Sequence, residues 1–298
     1  MNTSQGTRHI SKAALAGLAV GGFTFGVVSF LAASTWGTAT AAPATTPKTA
    51  AAVVAAASPG ANATHHAKRP APKPSIQSGL STNWAGPTVT GGTYSRVSTT
   101  FVVPRATCTS HYTDSSFWAG IDGAGSSPTV EQAGIRVTCD SKTAQYVAWT
   151  EEYPAPESDI DASQFSVAPG DTVKVIVSAN SGTDTYTLTD VTSGATYTTS
   201  AAAPQGAADD SAECVAEAPT GSKGIEKLTD FGTVTFSQCT ARVVGSRSAC
   251  QLVTGQGCPS SSQLTYSNIG TVKHHSTRLQ AETMSTTRGG FQVTWHHN

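Results

Sequence analysis

The sequence predicts an all-β fold, and two observations carry that reading. After Gly79 the chain runs in short stretches of alternating or β-branched residues broken by turn chemistry, and nothing in that part shows a helical stripe. "TYSRVSTTFVVP", "DTVKVIVSA", "TDTYTLTDV", "ATYTTS", "FGTVTFSQC" and "GFQVTWHH" are such stretches, and their spacing reads as antiparallel strands of a sandwich or a barrel. "DTVKVIVSA" alternates most cleanly. It sets Val173, Val175 and Val177 on one face and Thr172, Lys174 and Ile176 on the other, after a Gly170-Asp171 turn. Residues 79–298 are an ordinary length for one all-β unit.

The chain ahead of this unit reads differently. Arg8 and Lys12 precede an apolar run from Ala13 to Ala33 and small residues around Ala39-Thr40-Ala41, the pattern of a secretory signal over residues 1–41. A membrane anchor is the competing reading, since about 20 apolar residues span a bilayer. Gly17, Gly21, Gly22, Gly26 and the A-x-A site favour cleavage and export. Residues 42–78 are mostly Ala, Thr and Pro, too poor in bulky apolar groups to fold alone, and read as a linker or pro-segment.

Charge and cysteines narrow the function. Arg8, Lys12, Lys48, Lys68, Arg69 and Lys73 face no acidic residue before position 79, which leaves 12 of the 18 Lys and Arg against all 19 Asp and Glu in the unit. Its net charge of about −7 argues against a nucleic-acid surface, and Lys68, Arg69 and Lys73 have an acidic surface to cover. Six cysteines in an exported chain imply disulfides. Proximity suggests Cys250–Cys258 around a Gly-rich loop, Cys108–Cys139 flanking the strand of Gln132, and Cys214–Cys239 beside two late strands. No Cys or His spacing suits a structural metal. His274-His275 and His296-His297 are adjacent pairs, whose members point to opposite faces of a strand.

No G-x-S-x-G, H-E-x-x-H, or Asp-Thr-Gly or Asp-Ser-Gly motif is present. Three segments instead place polar groups inside apolar strand patterns. "TVEQAGIRV" sets Gln132 with Val130 and Gly134, "QYVAWTEEYP" sets Glu151 with Trp149 and Glu152 with Thr150, and "SAECVAEAP" sets Glu213, Val215 and Glu217 together. Each alone reads as a hydrogen-bonded or edge residue.

Together with "STNWAG" and "STTFVVP", these segments stand in a recognisable order and spacing, with "WAGIDG" followed nine residues later by Gln-x-Gly. The sequence resembles the glutamic peptidases, or eqolisins, from Asn83 to about Phe236, and much less beyond Cys239. The resemblance implies an antiparallel double-sheet β-sandwich, concanavalin-like, with a cleft across one sheet. It implies a secreted endopeptidase acting on polypeptides in acid, without cofactor or stable membrane association; a monomer is expected. It puts the catalytic pair on Gln132 and Glu217, with Trp84, Trp118 and Asp122 lining or supporting the cleft and Gly134, Trp149 and Glu151 beside the substrate. Three positions depart from the family pattern: Cys214 replaces a tryptophan, Arg136 an acidic residue of the fungal members, and Thr150 a tyrosine.

The chemistry fits these residue types. A peptidase must activate water and stabilise an oxyanion. A carboxylate does the first, and a neutral amide does the second because its NH2 donates at every pH. The rival is a carbohydrate-binding sandwich, or a glycosidase using Glu217 with Glu151 or Glu152, whose two carboxyl groups must lie roughly 5 to 10 Å apart.

Overall fold

The computed structural model describes residues 75–221, 224–269, 279–282 and 290–296. The predicted signal segment and nearly all of the linker lie outside the described residues, as do His274, His275 and His297.

Every regular element described is a strand. In chain order the first half holds β1 (Ser75–Ser81), β2 (Trp84–Thr90), β3 (Tyr94–Val102), β4 (Thr113–Ile121), β5 (Val130–Asp140), β6 (Thr143–Tyr153), β7 (Ser158–Asp159), β8 (Thr172–Asn180) and β9 (Thr183–Asp190). The second holds β10 (Thr196–Ala202), β11 (Ser211–Glu217), β12 (Thr220–Gly221), β13 (Gly224–Ile225), β14 (Thr233–Val243), β15 (Ala249–Gln251), β16 (Gln263–Ile269), β17 (Leu279–Glu282) and β18 (Phe291–Trp295).

Two sheets form the layers. One has the order β1-β16-β2-β11-β4-β5-β6-β7, and the other β10-β9-β8-β3-β14-β18-β17 with β15 on β14. The pairings are antiparallel except for β1, which begins at Ser75 and runs parallel to β16. The weakly matching C-terminal part is structural, since β14, β16 and β18 pair with strands of the better-matched region. Among the described residues no helix is long and apolar enough to cross a membrane.

Period-two alternation decides what each strand buries. Val173, Val175 and Val177 of β8 are fully buried, as their alternation predicts. They meet Phe101, Phe117, Ile135, Phe236 and Phe291 in one apolar core between the sheets. Phe101 and Phe117 pack across the layers with ring centroids 6.2 Å apart. The three disulfides are Cys108–Cys139, Cys214–Cys239 and Cys250–Cys258, the expected pairings. Cys214 lies on β11 and Cys239 on β14, so that bridge joins the two sheets through the core.

Candidate active site in the outer cleft

Four neighbouring strands of the first sheet supply the site. Directly paired residues share a face, and the register aligns Glu213, Gly120, Gln132 and Glu151 in one row. A second row is Val215, Trp118, Gly134 and Trp149, and a third is Glu217, Ser116 and Arg136. These rows form the outer face of the sheet, with the core residues Phe117, Ala119, Ala133, Ile135 and Ala216 alternating beneath them. Trp118, Trp149, Val130 and Val215 make a separate apolar cluster on this outer face, joined by Trp84.

Gly134 makes the second row possible. A Cβ there would lie 2.3 Å from the Phe117 carbonyl oxygen and 2.5 Å from Trp118 Cβ, so only glycine lets β5 lie this close to β4 beside Trp118. Trp84 meets Trp118 edge-on at 4.9 Å. The indole N–H of Trp118 then donates to Glu217 Oε2 at 2.7 Å, and the Asn83 amide donates to Oε1 at 2.9 Å. Both carboxylate oxygens of Glu217 are thus fixed by side chains that anchor elsewhere.

A cleft of about 750 Å³ runs over this face. Of the sequence-predicted residues, Gln132, Glu217, Trp84, Trp149 and Glu151 line it. Trp118 is fully buried and reaches the site through its N–H alone. Gly134 lies beneath Trp118, and Asp122 is also away from the lining. Asp122, at φ 71°, accepts backbone N–H groups from Ala208, Asp209 and Asp210 and so pins the 203–210 segment to the end of β4. Ser81, Asn83, Tyr112, Asp114, Ser116, Arg136 and Glu157 also line the cleft.

Gln132 donates from Nε2 to Glu151 Oε2 at 2.6 Å, and its Oε1 has no partner. An amide has two N–H bonds, so one remains for a ligand in the cleft. Burial pushes Glu217 up to about 7, the Glu151 carboxylate adds to the rise, and the N–H groups of Trp118, Trp84 and Asn83 oppose it. Burial likewise raises Glu151, opposed by its bond from Gln132. Arg136, on the same face as Gln132, binds Glu157 and Asp159, and thereby ties the segment after β6 across one end of the cleft.

Glu151 and Glu152 part company. Glu151 opens into the cleft, whereas Glu152 accepts the Tyr186 hydroxyl from the opposite sheet at 2.5 Å. Glu152 is therefore unavailable as a partner for Glu217. Of the two acids weighed as partners for Glu217 in sugar hydrolysis, Glu151 alone lines the cleft, and it is engaged by Gln132.

The fold is of the glutamic-peptidase kind. The crystal structure of scytalido-glutamic peptidase with a transition-state analogue inhibitor superposes with a TM-score of 0.59 at 21% identity, covering 73% of this chain and all of that one. The profile of the Peptidase A4 family matches residues 82–288, and the chain belongs to that family. Aspergillopepsin-2 of Aspergillus niger is 28% identical over 188 residues, 56% of this chain and 66% of its own length. Scytalidopepsin B of Scytalidium lignicola is 33% identical over 116 residues, 39% of this chain and 42% of its own. The chain thus spans under two thirds of the curated relatives it matches.

Proposed function

We propose that this protein is an exported endopeptidase of the glutamic type that cleaves polypeptides laid across the outer cleft. The observation that carries the reading is the pairing of a carboxylate and an amide in one cleft. Glu217 is held by two N–H donors, and Gln132 has an N–H to spare. Three disulfides support an oxidising, extracytoplasmic setting for residues 79–298, following a signal at 1–41 and a linker or pro-segment at 42–78.

In this mechanism Glu217, ionised, removes a proton from water as the water oxygen attacks the scissile carbonyl carbon. The carbonyl oxygen becomes an oxyanion and is met by the Gln132 amide N–H, which stays neutral throughout. Glu217 then gives its proton to the departing nitrogen, the C–N bond breaks, and acid and amine products leave. Trp118 and Asn83 hold the carboxylate in place for both transfers.

The pH sign follows from the site. Glu217 acts first as a base, so its ionised fraction limits the rate on the acid side. Its elevation to about 7 arises mainly from burial and partly from ionised Glu151. As Glu151 takes up a proton in acid that repulsion vanishes, and Glu217 keeps more of its ionised form than a fixed value of 7 implies. The family resemblance puts the working range on the acid side of neutrality, and within that range the rate is expected to fall with pH as Glu217 protonates.

The test is hydrolysis of a denatured protein and of a polysaccharide panel by the same preparation between pH 2 and 8. Internal cleavage of the protein alone is expected. Sugar release, or a protein activity that survives Glu217→Gln, sinks the reading.

A further inference from the structure

The row that carries Gln132 holds one acid that the mechanism does not use. Glu213 of β11 is separated from Gln132 of β5 by Gly120 of β4, and Glu151 of β6 stands on the far side of Gln132. Neighbouring strands lie about 4.8 Å apart, so the backbones of Glu213 and Gln132 are roughly 10 Å from one another. Gly120 lets their side chains close that gap. A Cβ on Gly120 would lie 3.2 Å from Glu213 Oε1 and 3.2 Å from Gln132 Cβ, so the carboxyl group and the stem of the glutamine border the same notch. Trp118 Cζ3 walls the notch, 2.8 Å from the same point.

The polar atoms around this notch are left over from other bonding. Glu213 is fully buried and Gln132 nearly so. Gln132 spends one N–H on Glu151 while its Oε1 accepts nothing, and neither oxygen of Glu213 makes a well-formed hydrogen bond. Thr88, paired with Glu213 on β2, turns its hydroxyl to the Thr265 carbonyl, and the nearby Tyr94 hydroxyl donates to the Thr90 carbonyl. Burial raises Glu213 well above the carboxylate range, Asp122, Glu131 and Asp210 add to the rise, and the Ser211 hydroxyl opposes it. Arg136 is two rows away on the same face and is bound to Glu157 and Asp159. A carboxyl group so placed keeps its proton, and its O–H needs an acceptor.

We propose that Glu213 is a positioning residue for Gln132, offering its carboxyl O–H across the Gly120 notch to the amide oxygen. The order of the row sets the polarity of the amide. A protonated acid stands on one side of Gln132 and a carboxylate acceptor on the other, so Oε1 belongs toward Glu213 and Nε2 toward Glu151. Held at both ends, the amide keeps its second N–H aimed at the oxyanion. Turned over, it would set its oxygen against Glu151 and lose that donor. Glu213 is not among the residues lining the cleft, so it acts through Gln132 alone. The assignment rests on the peptidase reading, in which Gln132 is the oxyanion donor.

The experiment is steady-state cleavage of a peptide substrate at pH 4 by the full chain and its variants, with thermal melting of each. Glu213→Met keeps the volume and removes the donor; it should lower kcat by roughly 10-fold and change KM by less than about twofold. Glu213→Gln, whose N–H reaches the same acceptor, should recover most of that loss. In a Gln132→Ala background Glu213→Met should cost less than about twofold, because no amide is left to place. A merely structural Glu213 would damage both backgrounds alike. Equal losses in the two backgrounds, no recovery in Glu213→Gln, or parental kcat in Glu213→Met each overturn the assignment. So does a failure of Glu213→Met and Glu213→Leu alike to fold, which would make the residue structural. Cleavage by the parent that is absent, or that survives Glu217→Gln, overturns the peptidase reading and this assignment with it. Glu217→Gln therefore tells the two failures apart.

Discussion

Glu131 and Gln132 are chain neighbours on β5, yet they occupy opposite surroundings. Gln132 opens into a cleft with a carboxylate to bond and an N–H to offer, while Glu131 is fully buried in the interior. The same contrast separates Glu217 from Glu131. Glu217 is held by N–H groups of Trp118 and Asn83, whereas Glu131 has the Thr129 hydroxyl against burial and the repulsion of Asp122, Asp184 and Glu152. A carboxylate given N–H donors is kept usable as an ion, and one denied them is kept as an acid. One sheet thus carries a carboxylate held by N–H donors on one face and a carboxyl group raised by burial on the other.

Four changes would break or sharpen this contrast. Glu217→Gln should have the largest effect, since it keeps size and hydrogen bonding but removes the base; kcat should fall by roughly 10⁴-fold with an unchanged melting profile at pH 4. Near-wild-type turnover in that variant would place the chemistry elsewhere. Gln132→Ala should lower kcat by roughly 10²- to 10³-fold with a smaller change in KM, the mark of an interaction made mainly in the transition state. A loss confined to KM would reassign Gln132 to substrate binding.

The third change tests the tie between the faces. Replacing both Cys214 and Cys239 by Ala opens a bridge with a sequence separation of 25. It should cost about 2 to 4 kcal/mol of stability, read by urea unfolding at pH 4, while kcat of the folded enzyme holds. A stability unchanged by the double substitution would show that the core alone joins the sheets there. The smallest effect is expected from Trp118→Phe, which keeps an aromatic ring in the outer-face cluster but removes the N–H from Glu217 Oε2. Losing a donor to the charged form raises the carboxylate further. The acid limb of kcat/KM should therefore move up by roughly half a unit to one unit, and a limb that stays in place would mean that another group sets it.

The sequence made much of this legible because alternation is a local signal. It put Gln132 with Val130 and Gly134, and Glu217 with Val215, and the strand pairing keeps those faces. It separated Glu151 from Glu152 as well, but alternation does not say which face is wet, so both stayed open as partners for Glu217. Asn83 escaped notice because its contact with Glu217 joins residues 134 apart, and no local pattern reports pairing of β2 with β11. Arg136 read as a departure from the family, and its bonds to Glu157 and Asp159 required the turn after β6 to fold back over it. Asp122 carried a family expectation of the cleft, yet its donors come from a segment some 86 positions away. The interior acids were invisible for the opposite reason: Glu131, Glu152 and Asp184 look like ordinary polar strand positions until the second layer closes over them.

The bridge between Cys214 and Cys239 has a consequence in time as well as in stability. Disulfides exchange only through attack by a thiolate, and a thiol of ordinary acidity, near 8.5, supplies almost none in acid. In acid the three bridges are therefore chemically silent, and Cys214, Cys239 and Cys250 are fully buried besides. An excursion to higher pH generates the attacking species. In the presence of any thiol, a brief exposure should leave scrambled pairings that re-acidification does not undo. The molecule would then carry a permanent chemical record of having left acid.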